Sequence, residues 1–276
     1  KTKMNTDSFF YIGKTHDVCQ DYADNANNSI VLADGCSSAE NSHVGSLLLC
    51  RATKKELENI DKCLFAENSI LSKVNEYAKA LDINNESLYS TLLYAYVLKN
   101  FFSIHAYGDG VCALRKRGTV IWEITELIYP SNAPYYLAYQ LDPESSKAYF
   151  DEFSDKLKIL TYELDCSNGN INKEKLSTVS ANYNFCDYNP IEQYDMISIF
   201  SDGVSSFYET VTTNTSKTNK SISTADVLKE MLSFKNYNGD FVKRRCKSAL
   251  KQFQEKNWFH SDDFSMASIY CPSENK

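Results

Sequence analysis

Three stretches of this chain share one pattern, an apolar run meeting aspartate: Val31-Leu32-Ala33-Asp34-Gly35, Ile199-Phe200-Ser201-Asp202-Gly203, and Asp262-Asp263 ahead of Phe264–Tyr270. Each sets a carboxylate at the edge of an apolar strand. A carboxylate there loses hydration and needs an Arg, a set of backbone N–H groups or a cation in its stead. No Arg lies close in sequence to any of the three. Hard divalent ions fit that need, because carboxylate oxygens, waters and a backbone carbonyl suit Mg²⁺ or Mn²⁺. Glycine after Asp34 and Asp202 lets the chain turn sharply and brings a carbonyl close to such an ion. Asp-Gly is also an ordinary turn, so a single pair would say little; the recurrence is what points to a metal.

Strands and helices must bring these aspartates together. The run 29–33 is too short for a helix and stops at Asp34-Gly35, which predicts a buried strand. Helical spacing follows at Val44, Leu47, Leu48 and Arg51, and again at Ile70, Val74, Tyr77, Ala78 and Leu81. Apolar runs at 92–98 and 101–107 around Lys99-Asn100 predict a hairpin, and 111–114 with 119–124 around Arg115-Lys116-Arg117-Gly118 predict a second. Further strands are expected at 158–164, 196–200 and 264–270, and helices at 225–234 and 241–253. Residues 168–184 read as a surface loop or turn cluster, and 212–223 as a polar, mobile segment. No repeat or linker divides the chain. Grouped antiparallel strands with paired helices between them imply an α+β sandwich in one domain, 1–276.

Composition excludes several functions. A formal net charge of -7 argues against sequence-independent nucleic-acid binding, which draws on Lys and Arg to displace counterions. The short basic runs Lys54-Lys55 and Lys243-Arg244-Arg245 read as solvated helix faces. Nine cysteines without a CxxC pair fit reduced thiols, and hence a cytoplasmic location. No window approaches the roughly 18–20 apolar residues of a membrane span, and residues 1–10 lack the apolar core of a signal peptide. Neither nucleic acid nor a membrane is an expected partner.

Six ordered motifs carry a resemblance: Gly13-Lys14-Thr15-His16 through Gln20-Asp21, Ala33-Asp34-Gly35 with Val44-Gly45, Ser90-Thr91-Leu92, Gly108-Asp109-Gly110, Ser201-Asp202-Gly203-Val204, and Asp262-Asp263-Phe264-Ser265. In order and spacing the chain resembles the protein phosphatase 2C family, its bacterial branch most closely, over residues 13–270. The resemblance implies a four-layer αββα sandwich, two antiparallel sheets flanked by helices, with a binuclear metal site at one edge. It implies Asp21, Asp34, Asp202 and Asp262 as carboxylate ligands, the Gly35 carbonyl as a further ligand, and Asp109 at a weaker third ion. The expected cofactors are two Mn²⁺ or Mg²⁺ ions. The expected substrate is phosphoserine or phosphothreonine on a protein, opposing a Ser/Thr kinase. Two cations about 3.5–4 Å apart would hold a bridging hydroxide for in-line attack, with no covalent phosphoenzyme. Cys19 and Cys36 beside the motifs are read as structural.

Three departures matter. Where relatives often have His after Asp-Gly, to protonate the leaving alkoxide, this chain has Cys36, so a metal-bound water or a nearby hydroxyl would have to serve. Where many carry an Arg that clamps phosphate, it has His16, read here either as a phosphate ligand or as a loop-packing residue. The last motif has Asp263 where Asn is usual; it either adds charge to the site or points into solvent. Ser206 stands where an acidic residue is common, which weakens the third ion, and His43 and His260 are assigned to packing or surface. The departures keep two rivals to catalysis open: a phosphatase-like module that binds without turnover, and a hydrolase of small phosphoesters.

Overall fold

A computed structural model describes residues 4–58, 67–153, 156–212 and 217–272. Strands β1 (Asn5–Tyr11), β2 (Asp21–Ala26) and β3 (Ser29–Asp34) lead into helices α1 (Ser42–Leu57) and α2 (Glu67–Ala80). Then come β4 (Leu92–Leu98), β5 (Phe101–Tyr107), β6 (Gly110–Lys116), β7 (Ile121–Ile128), α3 (Pro143–Glu152), β8 (Leu157–Asp165), β9 (Ile171–Val179), β10 (Phe185–Pro190) and β11 (Tyr194–Phe200). The last stretch holds β12 (Phe207–Thr212), β13 (Lys217–Ser221), α4 (Thr224–Met231), α5 (Phe241–Glu255), β14 (Trp258–His260) and β15 (Phe264–Tyr270). A seven-stranded sheet runs β1-β15-β11-β6-β7-β8-β9, a five-stranded one β10-β5-β4-β3-β2, and a small one β13-β12-β14.

Side-chain alternation decides the layering, because successive residues of a strand face opposite ways. In β3, Ile30 and Leu32 join Leu93, Ala95 and Ile104 in a core shared with Leu114, Ile197, Ile199, Ala267 and Ile269 of the larger sheet. The two sheets pack through these residues. Val31 and Ala33 face the other way, onto Leu49, Ala52, Ile70 and Val74 of α1 and α2. In β11, Met196 and Phe200 likewise turn outward, onto Val227, Val242, Cys246 and Phe253 of α4 and α5. Four layers result, and strands buried on both faces explain why these runs are continuously apolar rather than alternating. Ile199 is wholly buried in the inter-sheet core, so Ile199→Ala is expected to lower unfolding free energy by about 2–5 kcal/mol in urea titration.

Both expected hairpins are present, with Gly118 at φ 71° turning the second, but its return strand β7 runs on to Ile128. Two segments differ from expectation. Ile171–Val179 is a strand, not a loop: it pairs with β8 at the sheet edge, and because its side chains are almost all exposed it has no apolar periodicity to read. Lys217–Ser221 is also a strand, paired with β12, within the stretch expected to be mobile; residues 213–216 of that stretch lie outside the described residues. No helix among the described residues is long and apolar enough to cross a membrane.

Candidate functional site

Strand direction gathers the aspartates at one end of the two sheets. The β2–β3 pairing sets Asp21 opposite Asp34, on the face that carries Ala23 and Leu32 into the inter-sheet core. Asp202 follows the end of β11, and Asp262 precedes β15, which runs antiparallel beside β11. Asp109 sits in the turn that passes from β5 in one sheet to β6 in the other. That turn needs glycine: Gly110 has φ 137°, and a Cβ on it would stand 2.6 Å from the Phe200 carbonyl oxygen. Gly203 lets the Asp202 turn close on the Asp262 turn, since a Cβ there would meet the Asp263 carbonyl oxygen at 1.7 Å.

A pocket of about 130 Å³ opens at this end, lined by Asp34, Gly35, Asp109, Asp202 and Asp262 together with Cys36, Ser37, Ser38, Thr91, Asn132 and Tyr136. Asp21 is 2% exposed; Ser201 Oγ donates to its Oδ2 at 2.6 Å, a contact between the two sheets. Asp34 N donates to Thr91 Oγ1 at 3.1 Å, which fixes the end of β3. No hydrogen-bond partner among the described residues reaches the buried Asp21 Oδ1 or Asp202 Oδ1. The ion pairs found among the described residues bring no Lys or Arg to these five aspartates; Asp262 alone meets a basic group, His16. The carboxylates ring a pocket rather than closing on a point: no three His, Cys, Asp or Glu among the described residues stand as a ready coordination group. A larger cavity of about 460 Å³, lined by Phe150, Phe153, Lys156 and Val179, holds none of these carboxylates.

Crowded buried carboxylates resist ionisation. Burial, followed by the Asp202 charge, pushes Asp21 up to about 7 against the opposing Ser201 hydrogen bond. Asp262 rises to about 6, by burial and then the Asp202 charge, with His16 pulling the other way. Asp34 and Asp109 are held well above the usual carboxylate range by burial and then by neighbouring aspartates, and burial raises Asp202. Unfolded, such groups titrate near 3.9. Between about pH 4 and 7 the folded state therefore binds more protons, and stability falls as pH rises. Without divalent ions, the melting temperature is expected to drop between pH 5 and 7.5, about 2–4 °C for each kcal/mol lost; scanning calorimetry in EDTA checks this.

The structure thus brings together Asp34, Gly35, Asp109, Asp202 and Asp262, with Asp21 beside them. His16 does not line the pocket; its Nδ1 lies 3.0 Å from Asp263 Oδ2 and its Nε2 3.6 Å from Asp262 Oδ1. Asp263, which the sequence reads as either site charge or solvent-facing, does not face solvent: it is 1% exposed, accepts from the backbone N–H of Gly13 and Gln20, and its charge is among those that raise Asp262. Sequence reasoning missed Asn132, Tyr136 and Ser201. Tyr136 comes from a Tyr-rich stretch without periodicity, and it reaches the pocket by stacking on Tyr89 at 5.9 Å.

A family model described as protein phosphatase 2C matches residues 13–253. Among solved structures, a bacterial serine phosphatase superposes with a TM-score of 0.55 at 15% identity, covering 99% of this chain and 100% of that one. Serine/threonine phosphatase Stp1 from Staphylococcus aureus gives 0.54 at 18%, covering 99% and 96%. The catalytic domain of the serine/threonine protein phosphatase PstP, in complex with two manganese ions, gives 0.51 at 13%, covering 98% and 99%. At these identities the likeness is one of fold. No curated protein sequence matches.

Proposed function

The chain belongs to the protein phosphatase 2C family, and from that premise we propose that it is one catalytic domain that removes phosphate from phosphoserine or phosphothreonine in proteins, opposing a Ser/Thr kinase. In this reading Asp21, Asp34, Asp202 and Asp262, with the Gly35 carbonyl, hold two Mn²⁺ or Mg²⁺ ions, and Asp109 helps hold a weaker third. The observation that carries it is the meeting of four acidic side chains in one pocket with Asp21 buried beside them, where Asp21 and Asp202 each keep a buried oxygen that no donor among the described residues reaches. Such a set of hard oxygen donors fits hard divalent cations. When bound, such ions supply a water of lowered pKa and Lewis acidity toward a phosphoryl group.

The chain's own groups do the rest. Ser201 and Thr91 hold Asp21 and the backbone of Asp34 in position. Asn132, Ser37, Ser38, Thr91 and Tyr136 offer neutral donors around the pocket for phosphoryl oxygens. Burial keeps the Tyr136 phenol well above its ordinary pKa, so it stays protonated and donates. With Cys36 in the position after Asp34-Gly35, these hydroxyls and the thiol are pocket-lining groups that would be available to a departing serine alkoxide.

The test is release of inorganic phosphate from a phosphoserine peptide with 1 mM Mn²⁺, compared with EDTA. Release only with Mn²⁺ is the expected result. A pocket wall without Lys or Arg favours one rival, a module that binds without turnover; capture of the peptide with no release in either buffer would support it and overturn catalysis.

A further inference from the structure

We propose that His16 and Asp263 form a positioning pair that ties the segment leading to Asp21 to the turn carrying Asp262, leaving His16 no part in binding phosphate. The proposal rests on the metal-site reading above and goes further by assigning two residues that stand outside the pocket wall. Both ring nitrogens of His16 lie beside protein carboxylates: Nδ1, buried and without a hydrogen bond among the described residues, is 3.0 Å from Asp263 Oδ2, an ion-pair distance, and Nε2 is 3.6 Å from Asp262 Oδ1. A phosphoryl oxygen at either nitrogen would stand against a carboxylate of like charge.

Asp263 acts as the anchor. Its side chain is wholly buried, and it accepts from Gly13 N at 2.6 Å and Gln20 N at 2.5 Å, so one carboxylate grips both ends of the loop that runs into Asp21. The same loop is stitched to the Asp262 turn by Lys14 N to the His260 carbonyl at 3.2 Å and Thr15 Oγ1 to the Ser261 carbonyl at 2.7 Å. Asp262 in turn accepts from Asp263 N at 2.8 Å through Oδ1, the oxygen His16 faces, while His260 Nδ1 meets its carbonyl at 2.7 Å. Charge-assisted contacts of this kind fix geometry more firmly than neutral ones. The two positions that depart from the family pattern at opposite ends of the chain are therefore one unit. Asp, with both oxygens accepting, holds the two backbone N–H groups and sets a negative charge 3.0 Å from the imidazole Nδ1, whereas Asn offers one accepting oxygen and no charge.

Partners that orient metal-binding carboxylates typically carry roughly 10- to 100-fold of metal affinity or activity, so the pair is expected to act through the ion. His16→Ala, Asp263→Asn and the double variant are compared with the unaltered protein by calorimetric Mn²⁺ titration, by KM for a phosphoserine peptide and by inhibition with inorganic phosphate. The pair predicts Mn²⁺ binding weakened roughly 10- to 100-fold in each single variant and no further in the double. KM and the phosphate inhibition constant at saturating Mn²⁺ are expected to stay within about twofold. Unchanged Mn²⁺ affinity with a raised KM and weaker phosphate inhibition would overturn the proposal and make His16 a phosphate ligand; additive losses in the double variant, or no change in either single one, would overturn it as well. Asp202→Asn separates the premises: if it too leaves Mn²⁺ binding unchanged, the metal-site reading fails, whereas if it abolishes binding and His16→Ala does not weaken it, the pair alone fails. Circular dichroism of each variant identifies any that fail to fold, and His16→Gln then replaces His16→Ala, with the same weakening of Mn²⁺ expected.

Discussion

Asp202→Asn is expected to cut phosphate release from a phosphoserine peptide at least about 100-fold while leaving the metal-free protein as stable at pH 7.5 as before, or more so. The two effects have opposite signs because Asp202 plays opposite parts in the two states. On the proposed reading, its carboxylate would be one of few groups available to hold the ions in the metal-bound protein. In the metal-free protein it is a buried charge with one oxygen that no donor among the described residues reaches, and its field raises the pKa of Asp21, Asp34, Asp109 and Asp262. Asparagine keeps the shape and removes the repulsion. A residue that merely supported the fold would lose activity and stability together. Activity assays paired with urea unfolding in EDTA separate the two cases.

The second large effect is stabilisation by metal that depends on pH. At pH 7.5 the five carboxylates carry more charge than the fold alone offsets, so Mn²⁺ at a hundredfold over its dissociation constant should add about 2.7 kcal/mol, or roughly 5–11 °C in melting temperature. At pH 5 protons already neutralise the ring, since burial pushes Asp21 up to about 7 and Asp262 to about 6, and the same Mn²⁺ should shift melting far less. Calorimetric scans at the two pH values, with Mn²⁺ and with EDTA, read this directly. Equal shifts at both values would mean that the ions bind elsewhere.

How much of this was legible in the sequence depended on how far each signal is local. Asp34 and Asp202 announced themselves because β3 and β11 are buried on both faces, so an apolar run stopping at Asp-Gly is written in consecutive residues. Asp21 did not, because β2 reads Asp-Tyr-Ala-Asp-Asn-Ala, an edge strand whose polar residues hide its pattern; only the family resemblance reached it. The edge strand β9 reads as a loop for the same reason. Ser201 could not be assigned because its partner, Asp21, belongs to the opposite sheet. The position of His16 was readable, but what it faces was not: Asp263 lies near the other end of the chain, and only the packing of the loop against the β15 entry brings them together.

The measurement that bears most directly on the central claim is a crystal of the unaltered protein grown or soaked in Mn²⁺ at pH 7.5, with anomalous scattering collected at the manganese edge. The expected map has two strong peaks in the pocket between the sheets, bounded by the oxygens of Asp21, Asp34, Gly35, Asp202 and Asp262, and a weaker third near Asp109. An empty pocket with manganese bound elsewhere, or these carboxylates ordered against Lys and Arg with no ion among them, would contradict the account.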